Sequence, residues 1–201
     1  MHVAHIDYYF STLSVFTYFA GDRLEEIAAR HGATISYKPF DIIALYDRLG
    51  VARPADRPEG RKVYRMQEIK RLKAASGRPT NVQPAFWPTN AAPSSYALIA
   101  AAKSGEGRVA DVIAALYRAT WEEEKDIADD AVIGDALKAG GFDPALSMSG
   151  MVTGADTYAR NLDEAFAAGV FGSPFYIVTD TDERFWGQDK LDELDAYLAT
   201  L

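Results

Sequence analysis

The stretch FSTLSVFTYFAGDRL, residues 10–24, joins a predicted strand to a predicted helix. Residues 3–10 (VAHIDYYF) are rich in β-branched and aromatic side chains, which favour a strand. Apolar residues then recur at helical spacing, which predicts a helix over residues 15–31. Ser14 and Thr17 stand at the junction, and two interpretations are open. Their hydroxyls could cap the helix, or the free N–H groups there could form a site for an anion or a thiolate.

The composition indicates a globular protein without chemistry based on its own sulfur. The chain has 201 residues, a net charge of −8 and no cysteine. Disulfides, thiolate metal ligands and redox chemistry by a protein thiol are therefore excluded. The three histidines show no metal-ligand spacing, so we expect no metal site.

The charge and hydropathy patterns also bear on partners and location. The negative net charge disfavours binding to nucleic acid, which is driven by Lys and Arg. No apolar run is long enough to span a bilayer, so we expect no membrane partner. The first residues, MHVAHIDYYF, lack the basic region of a signal peptide, and we expect a cytoplasmic protein.

The order of predicted elements indicates an α/β fold of the thioredoxin-like type. A second strand over residues 33–40 completes a β-α-β unit, whose strands should be parallel. The final segment contains two short strands, FYIVTD and ERFWGQ, and an amphipathic helix. We expect residues 1–40 and 169–201 to form a thioredoxin-like domain, and residues 41–168 to form an inserted all-helical domain. Helices are predicted in that insertion near residues 61–76, 91–104, 108–121, 129–139 and 153–168.

Three motifs resemble a known family over essentially the whole chain. FSTLSVFTYFAGDRL, VFGSP at residues 170–174 and FWGQDKL at residues 185–191 resemble the 2-hydroxychromene-2-carboxylate isomerases. These belong with the kappa-class glutathione transferases, in a branch of thioredoxin-like proteins that also contains disulfide oxidoreductases. The resemblance implies glutathione as cofactor and a small aromatic substrate that opens to trans-o-hydroxybenzylidenepyruvate.

The resemblance places Ser14 and Thr17 where the oxidoreductases have Cys-x-x-Cys. It implies that the Ser14 hydroxyl is catalytic, because it can donate a hydrogen bond to the thiolate of glutathione and lower the pKa of that thiol. Ser11 lies too early for this role. Transient addition of the thiolate to the conjugated double bond would allow the bond to rotate.

The resemblance also assigns the remaining site residues. Ser173 and Pro174 would be joined by a cis peptide bond, with the Ser173 backbone pairing with the glutathione peptide. Gln188 and Asp189 would bind the γ-glutamyl group, and Asp189 would also be the N-cap of the last helix. Arg61 or Lys62 would bind the glycine carboxylate. Thr17, Phe86, Trp87 and Asn90 would contact the organic substrate, and Trp121 and Trp186 would lie in the core.

Two alternatives remain from other readings of the same motifs. A kappa-like glutathione transferase would release the glutathione conjugate as its product. A redox-inactive thioredoxin-like binding module would bind its partner without catalysis. Relatives of this kind are commonly dimers, and we expect a homodimer.

Overall fold

The computed structural model describes residues 3–201, and strands from both ends of this segment form one sheet. Its order is β2-β1-β3-β4. β1 pairs in parallel with β2 and antiparallel with β3, and β3 is antiparallel to β4. This confirms the thioredoxin-like fold predicted from the order of elements. The strands are β1 (His5–Phe10), β2 (Thr34–Pro39), β3 (Phe175–Val178) and β4 (Glu183–Trp186).

Helices occupy most of the chain between β2 and β3. The helices of the described residues are α1 (Val15–Ala20), α2 (Arg23–His31), α3 (Ile42–Leu49), α4 (Glu59–Ser76), α5 (Ala92–Ser104), α6 (Val109–Trp121), α7 (Asp130–Ala139), α8 (Leu146–Ser149), α9 (Met151–Ala167) and α10 (Leu191–Leu198). Short 3-10 turns lie at Pro54–Asp56 and Gln188–Lys190. The separation of residues 41–168 as a domain of its own stays a prediction.

The single helix predicted over residues 15–31 is wrong, because the chain breaks into α1 and α2. Gly21 has a φ of 59°, in the left-handed region that favours glycine. Its N–H donates a 3.2 Å hydrogen bond to the carbonyl of Tyr18, and the Arg78 Nη1 donates to the same carbonyl at 3.2 Å. The apolar spacing continues across the break, so the sequence pattern did not reveal it.

A buried cluster joins the sheet to α1 and to helices that lie far from α1 in the sequence. Tyr8 and Phe10 of β1 and Tyr176 of β3 pack in one cluster with α5, α6 and α10. Trp121, at the end of α6, is fully buried in this cluster, as predicted. Trp186 is 51% exposed, so its predicted core position is wrong. It lies on β4, the edge strand, where most side chains face outward. Val15, Tyr18 and Phe19 of α1 belong to the same cluster as residues of β1 and α6, so this packing holds the turn between β1 and α1 against the helices.

No helix among residues 3–201 is both long enough and apolar enough to cross a membrane.

Candidate active site

The turn from β1 into α1 is closed by the two hydroxyl residues singled out in the sequence. The Ser14 N–H donates to the carbonyl of Ser11 at 2.9 Å. Ser14 is the N-cap of α1, and its Oγ accepts a hydrogen bond from the Thr17 N–H at 3.2 Å. The capping interpretation is therefore correct, and it leaves open whether the same hydroxyl also serves a ligand.

The segment before β3 lies directly opposite this turn. The Ser173–Pro174 peptide bond is cis, as predicted. The Ser14 Oγ donates to the Ser173 carbonyl at 3.1 Å, and the Ser11 N–H donates to the Ser173 Oγ at 2.9 Å. The hydroxyls of Thr17 and Ser173 are 3.0 Å apart and share a hydrogen bond. Hydrogen bonds thus hold Ser14, Thr17 and Ser173 together, although Ser14 and Ser173 are 159 residues apart in sequence.

The members of this cluster differ in whether a ligand could reach them. Ser11 is 1% exposed and Thr17 is 2% exposed, so neither hydroxyl is open to solvent. Ser14 and Ser173 are partly exposed. Ser14 therefore carries the accessible hydroxyl at the start of α1, and it donates its single proton to the carbonyl of Ser173, a residue that is also partly exposed.

Tyr117 of α6 binds the turn through its hydroxyl, and it was not among the predicted site residues. Its hydroxyl donates to the Ser11 carbonyl at 2.8 Å, and the side chain is only 4% exposed. Burial raises the pKa of Tyr117 well above its usual range, against a smaller opposing effect of a hydrogen bond with Thr17. The phenol therefore stays protonated and remains a donor. No local sequence signal distinguishes this tyrosine from others on the buried face of a helix.

Trp87 and Phe16 form an aromatic wall beside Ser14. The Trp87 Nε1 donates to the Leu13 carbonyl at 2.9 Å, which places this predicted substrate residue beside the turn. Phe16, in the first turn of α1, is partly exposed. The guanidinium carbon of Arg65 lies 5.1 Å from the Trp87 ring centre and 6.0 Å from that of Phe16. Arg65 was not among the predicted site residues.

The other predicted residues of the helical block, Arg61, Lys62, Phe86 and Asn90, form no hydrogen bond or ion pair with the turn in the described part of the chain. Arg61 and Lys62 are exposed in the first turns of α4, and the Lys62 Nζ is 4.0 Å from a carboxylate oxygen of Glu59. Phe86 is exposed. The Asn90 Oδ1 accepts a hydrogen bond from the Ala92 N–H at 3.1 Å, at the start of α5. The Trp87–Pro88 bond nearby is also cis.

The segment after β4 is held beside the cis-proline. The Gly187 N–H donates to the Pro174 carbonyl at 3.0 Å, and the 3-10 turn Gln188–Lys190 follows. The Gln188 carbonyl accepts from the Arg23 Nη1 at 3.1 Å, while the Asp189 side chain is exposed. The prediction that Asp189 caps the last helix is wrong. The 3-10 turn precedes α10, which follows Lys190 without a side-chain cap.

Trp186 and Phe171 form an exposed aromatic pair next to the same proline. Their ring centres are 4.9 Å apart in an edge-to-face arrangement. A Cβ atom at Gly172 would collide with the Trp186 indole, so glycine is required where the ring lies against the backbone.

Among residues 3–201, no three His, Asp or Glu side chains are grouped so that they could hold a metal ion.

Comparison with known proteins identifies the family. The sequence model of the DSBA-like thioredoxin domain matches residues 5–199. The chain is 29% identical over 197 residues to a 2-hydroxychromene-2-carboxylate isomerase of Sphingobium xenophagum, with 96% of this chain and 97% of that protein covered.

Two solved structures share the fold. One is a 2-hydroxychromene-2-carboxylate isomerase, with a TM-score of 0.76, 22% identity, and 98% of this chain and 95% of that chain covered. The other is the cytosolic disulfide reductase DsbM of Pseudomonas aeruginosa with GSH, with a TM-score of 0.71, 18% identity and 98% of each chain covered. The family match spans nearly the whole described segment and confirms the resemblance seen in the motifs. The chain therefore belongs to the DSBA-like thioredoxin domain family.

Proposed function

We propose that this protein is a glutathione-dependent isomerase of an aromatic carboxylate. The substrate would be 2-hydroxychromene-2-carboxylate or a related compound of aromatic catabolism. The observation that carries the proposal is the contact of the Ser14 hydroxyl with the Ser173 carbonyl, in a chain without any cysteine. The resemblance places Ser14 where the disulfide oxidoreductases carry a redox cysteine, and its hydroxyl can bind the thiol of a separate molecule.

The residues around Ser14 fit glutathione as the source of that thiol. Ser173 is partly exposed, and its N–H donates no hydrogen bond within the described residues. One donor and one acceptor on the same residue can pair with a peptide in the manner of an added strand. Gln188 and Asp189 directly follow Gly187, whose N–H is bonded to the Pro174 carbonyl, and we propose that they bind the γ-glutamyl group. Arg61 and Lys62 are exposed cations on α4 that can meet the glycine carboxylate.

Ser14 would change hydrogen-bond partners when glutathione binds. Its hydroxyl has one proton, which the Ser173 carbonyl now accepts. A peptide N–H that pairs with that carbonyl would compete with the Ser14 hydroxyl, which would rotate and donate its hydrogen bond to the sulfur, while the Thr17 N–H would continue to donate to the Ser14 oxygen. A hydrogen bond to a charged sulfur is stronger than one to a neutral carbonyl and favours the thiolate.

When bound, glutathione would supply the thiolate that adds to the conjugated double bond and leaves again after rotation. Trp87 provides an aromatic surface beside Ser14, and we propose that Phe86 and Asn90 complete the organic pocket. Thr17 is only 2% exposed, and its contact with the substrate stays a prediction. We also propose that it positions Ser173 through their shared hydrogen bond.

The experiment compares Ser14→Ala with Ser11→Ala. Ser14→Ala removes the accessible hydroxyl, and we expect glutathione-dependent turnover to fall roughly ten- to hundredfold. The Ser11 Oγ has only a 3.4 Å contact with the Leu13 N–H and is buried, so Ser11→Ala should retain turnover within about twofold. If Ser14→Ala keeps the wild-type rate while Ser11→Ala loses it, the site is misplaced.

The same assay separates the alternative functions. Accumulation of a glutathione conjugate would indicate a kappa-like transferase, whereas regeneration of free glutathione indicates an isomerase. Retention on immobilised glutathione without any turnover would indicate a redox-inactive binding module.

We also propose a cytoplasmic location and a homodimer. Sedimentation equilibrium measures the mass of the assembly, and a mass equal to that of one chain would contradict the homodimer.

A further inference from the structure

Arg65 is fixed at the aromatic wall of the proposed site. Its guanidinium lies over the Trp87 ring at 5.1 Å and over the Phe16 ring at 6.0 Å. Trp87 is tied to the Leu13 carbonyl, one residue before Ser14, and Phe16 is two residues after Ser14. The cation is therefore held beside the reacting position by two rings that belong to the same wall.

This cation lacks a carboxylate partner. No Asp or Glu within residues 3–201 forms an ion pair with Arg65, whereas Arg23 pairs with Asp192 at 2.6 Å and Arg48 with Asp163 at 2.6 Å. Burial of the guanidinium, followed by repulsion from Arg57, lowers the pKa of Arg65.

A second cation lies in the same region. Arg57 is partly exposed, and its guanidinium lies over the Tyr46 ring at 5.1 Å. Two guanidinium groups that repel each other, one of them partly buried and without a carboxylate partner among the described residues, favour the binding of an anion.

We propose that Arg65 binds the carboxylate of the organic substrate and so determines which aromatic compounds the site accepts. Stacking on aromatic rings occupies the face of a guanidinium and leaves its in-plane N–H groups free for a bidentate hydrogen bond to a carboxylate. The aromatic part of the substrate would lie against Trp87 and Phe16. This inference rests on the proposed function, because it assigns a role within the same site.

The substrate carboxylate fits Arg65 better than a carboxylate of glutathione. Arg61 and Lys62 are on the same helix, one turn earlier, and are exposed, as a group that meets the flexible end of a tripeptide would be. Arg65 is partly buried and lies over two rings of the aromatic wall, which suits a flat molecule that carries its charge close to an aromatic system.

The test is a binding measurement with trans-cinnamate and its neutral analogue trans-cinnamamide, by isothermal titration calorimetry on the full chain. We expect the wild type to bind cinnamate at least tenfold more tightly than the amide. Arg65→Met should remove that preference, and Arg65→Lys, which keeps the charge but loses the planar fork, should retain part of it. Lys70→Met removes the same charge from an exposed position on α4 and should leave the preference unchanged.

Two results would overturn the proposal. One is a wild type that binds the acid and the amide equally or binds neither. The other is an Arg65→Met variant that keeps the preference for cinnamate, and a loss of affinity for glutathione in the same variant would assign the guanidinium to the tripeptide. Because these readouts do not need turnover, they remain informative if the chain proves not to be an isomerase. Arg65→Lys keeps the test valid if Arg65→Met fails to fold.

Discussion

Replacing Tyr117 by Phe removes one buried oxygen beneath the proposed site and keeps the ring. The lost hydrogen bond joins the tyrosine hydroxyl to the Ser11 carbonyl at 2.8 Å. That carbonyl also accepts from the Ser14 N–H at 2.9 Å, so it would remain partly satisfied. We therefore expect the free energy of unfolding to fall by about 1.5 kcal/mol, within the range for a buried hydrogen bond.

Urea unfolding followed by circular dichroism measures this effect. With a urea m value of about 2.5 kcal/mol/M for a chain of this size, the midpoint should fall by about 0.6 M. Tyr64→Phe is the matched control, because Tyr64 is 60% exposed and loses the same atom at the surface. Its midpoint should change by less than about 0.2 M. Equal midpoints for the two variants, with unchanged m values, would refute the role assigned to the Tyr117 hydroxyl.

Two further substitutions test the pH dependence and the packing. Burial raises the pKa of Glu25, so the folded chain binds its proton more tightly than the unfolded chain, and stability falls as pH rises from the unfolded pKa of about 4.3 through the folded value. Glu25→Gln can still accept from the Tyr37 hydroxyl, and its melting temperature should exceed that of wild type at pH 8 but not at pH 4. Gly154→Ala would place a Cβ 2.6 Å from the Tyr96 backbone, and stability should fall by about 2 kcal/mol. Gly60→Ala, on α4 with no atom within 4 Å, should be neutral or stabilising, and equal losses for both would contradict the packing argument.

The strands are predictable because their signal is local, a few adjacent β-branched, aromatic and other apolar residues. The cis bond between Ser173 and Pro174 was predicted from the resemblance of VFGSP to a family motif, because a proline before a strand does not by itself indicate a cis bond. α3 also has a local signal at its two ends, Asp41 before the first turn and Gly50 after the last. The Asp41 Oδ1 accepts from the N–H groups of Ile43 and Ala44, and Gly50 ends the helix at a φ of 66°. Eight residues are too few for an apolar period to stand out.

The supporting residues of the site could not be found in this way. Tyr117 and Arg65 lie on α6 and α4, and their direction toward Ser14 depends on how those helices are rotated against the sheet. That rotation is set by packing between residues far apart in the chain. The exposure of Trp186 could not be predicted for a related reason. A strand pattern does not show which face of an edge strand is covered by other parts of the chain.

The order of strands in the sheet has a kinetic consequence. β1 has its parallel partner within the first 39 residues, but its other edge pairs with β3, where Ile6 meets Val178. Closing the loop between Ile6 and Val178 costs about 4.5 kcal/mol in chain entropy, apart from a constant that does not depend on loop length. At a synthesis rate of about 5–20 residues per second, β1 stays open along one side for roughly 10–30 s while the helices are being made. During that interval one edge of a central strand is unpaired and exposed to other chains, and the helices made before β3 are available to cover it.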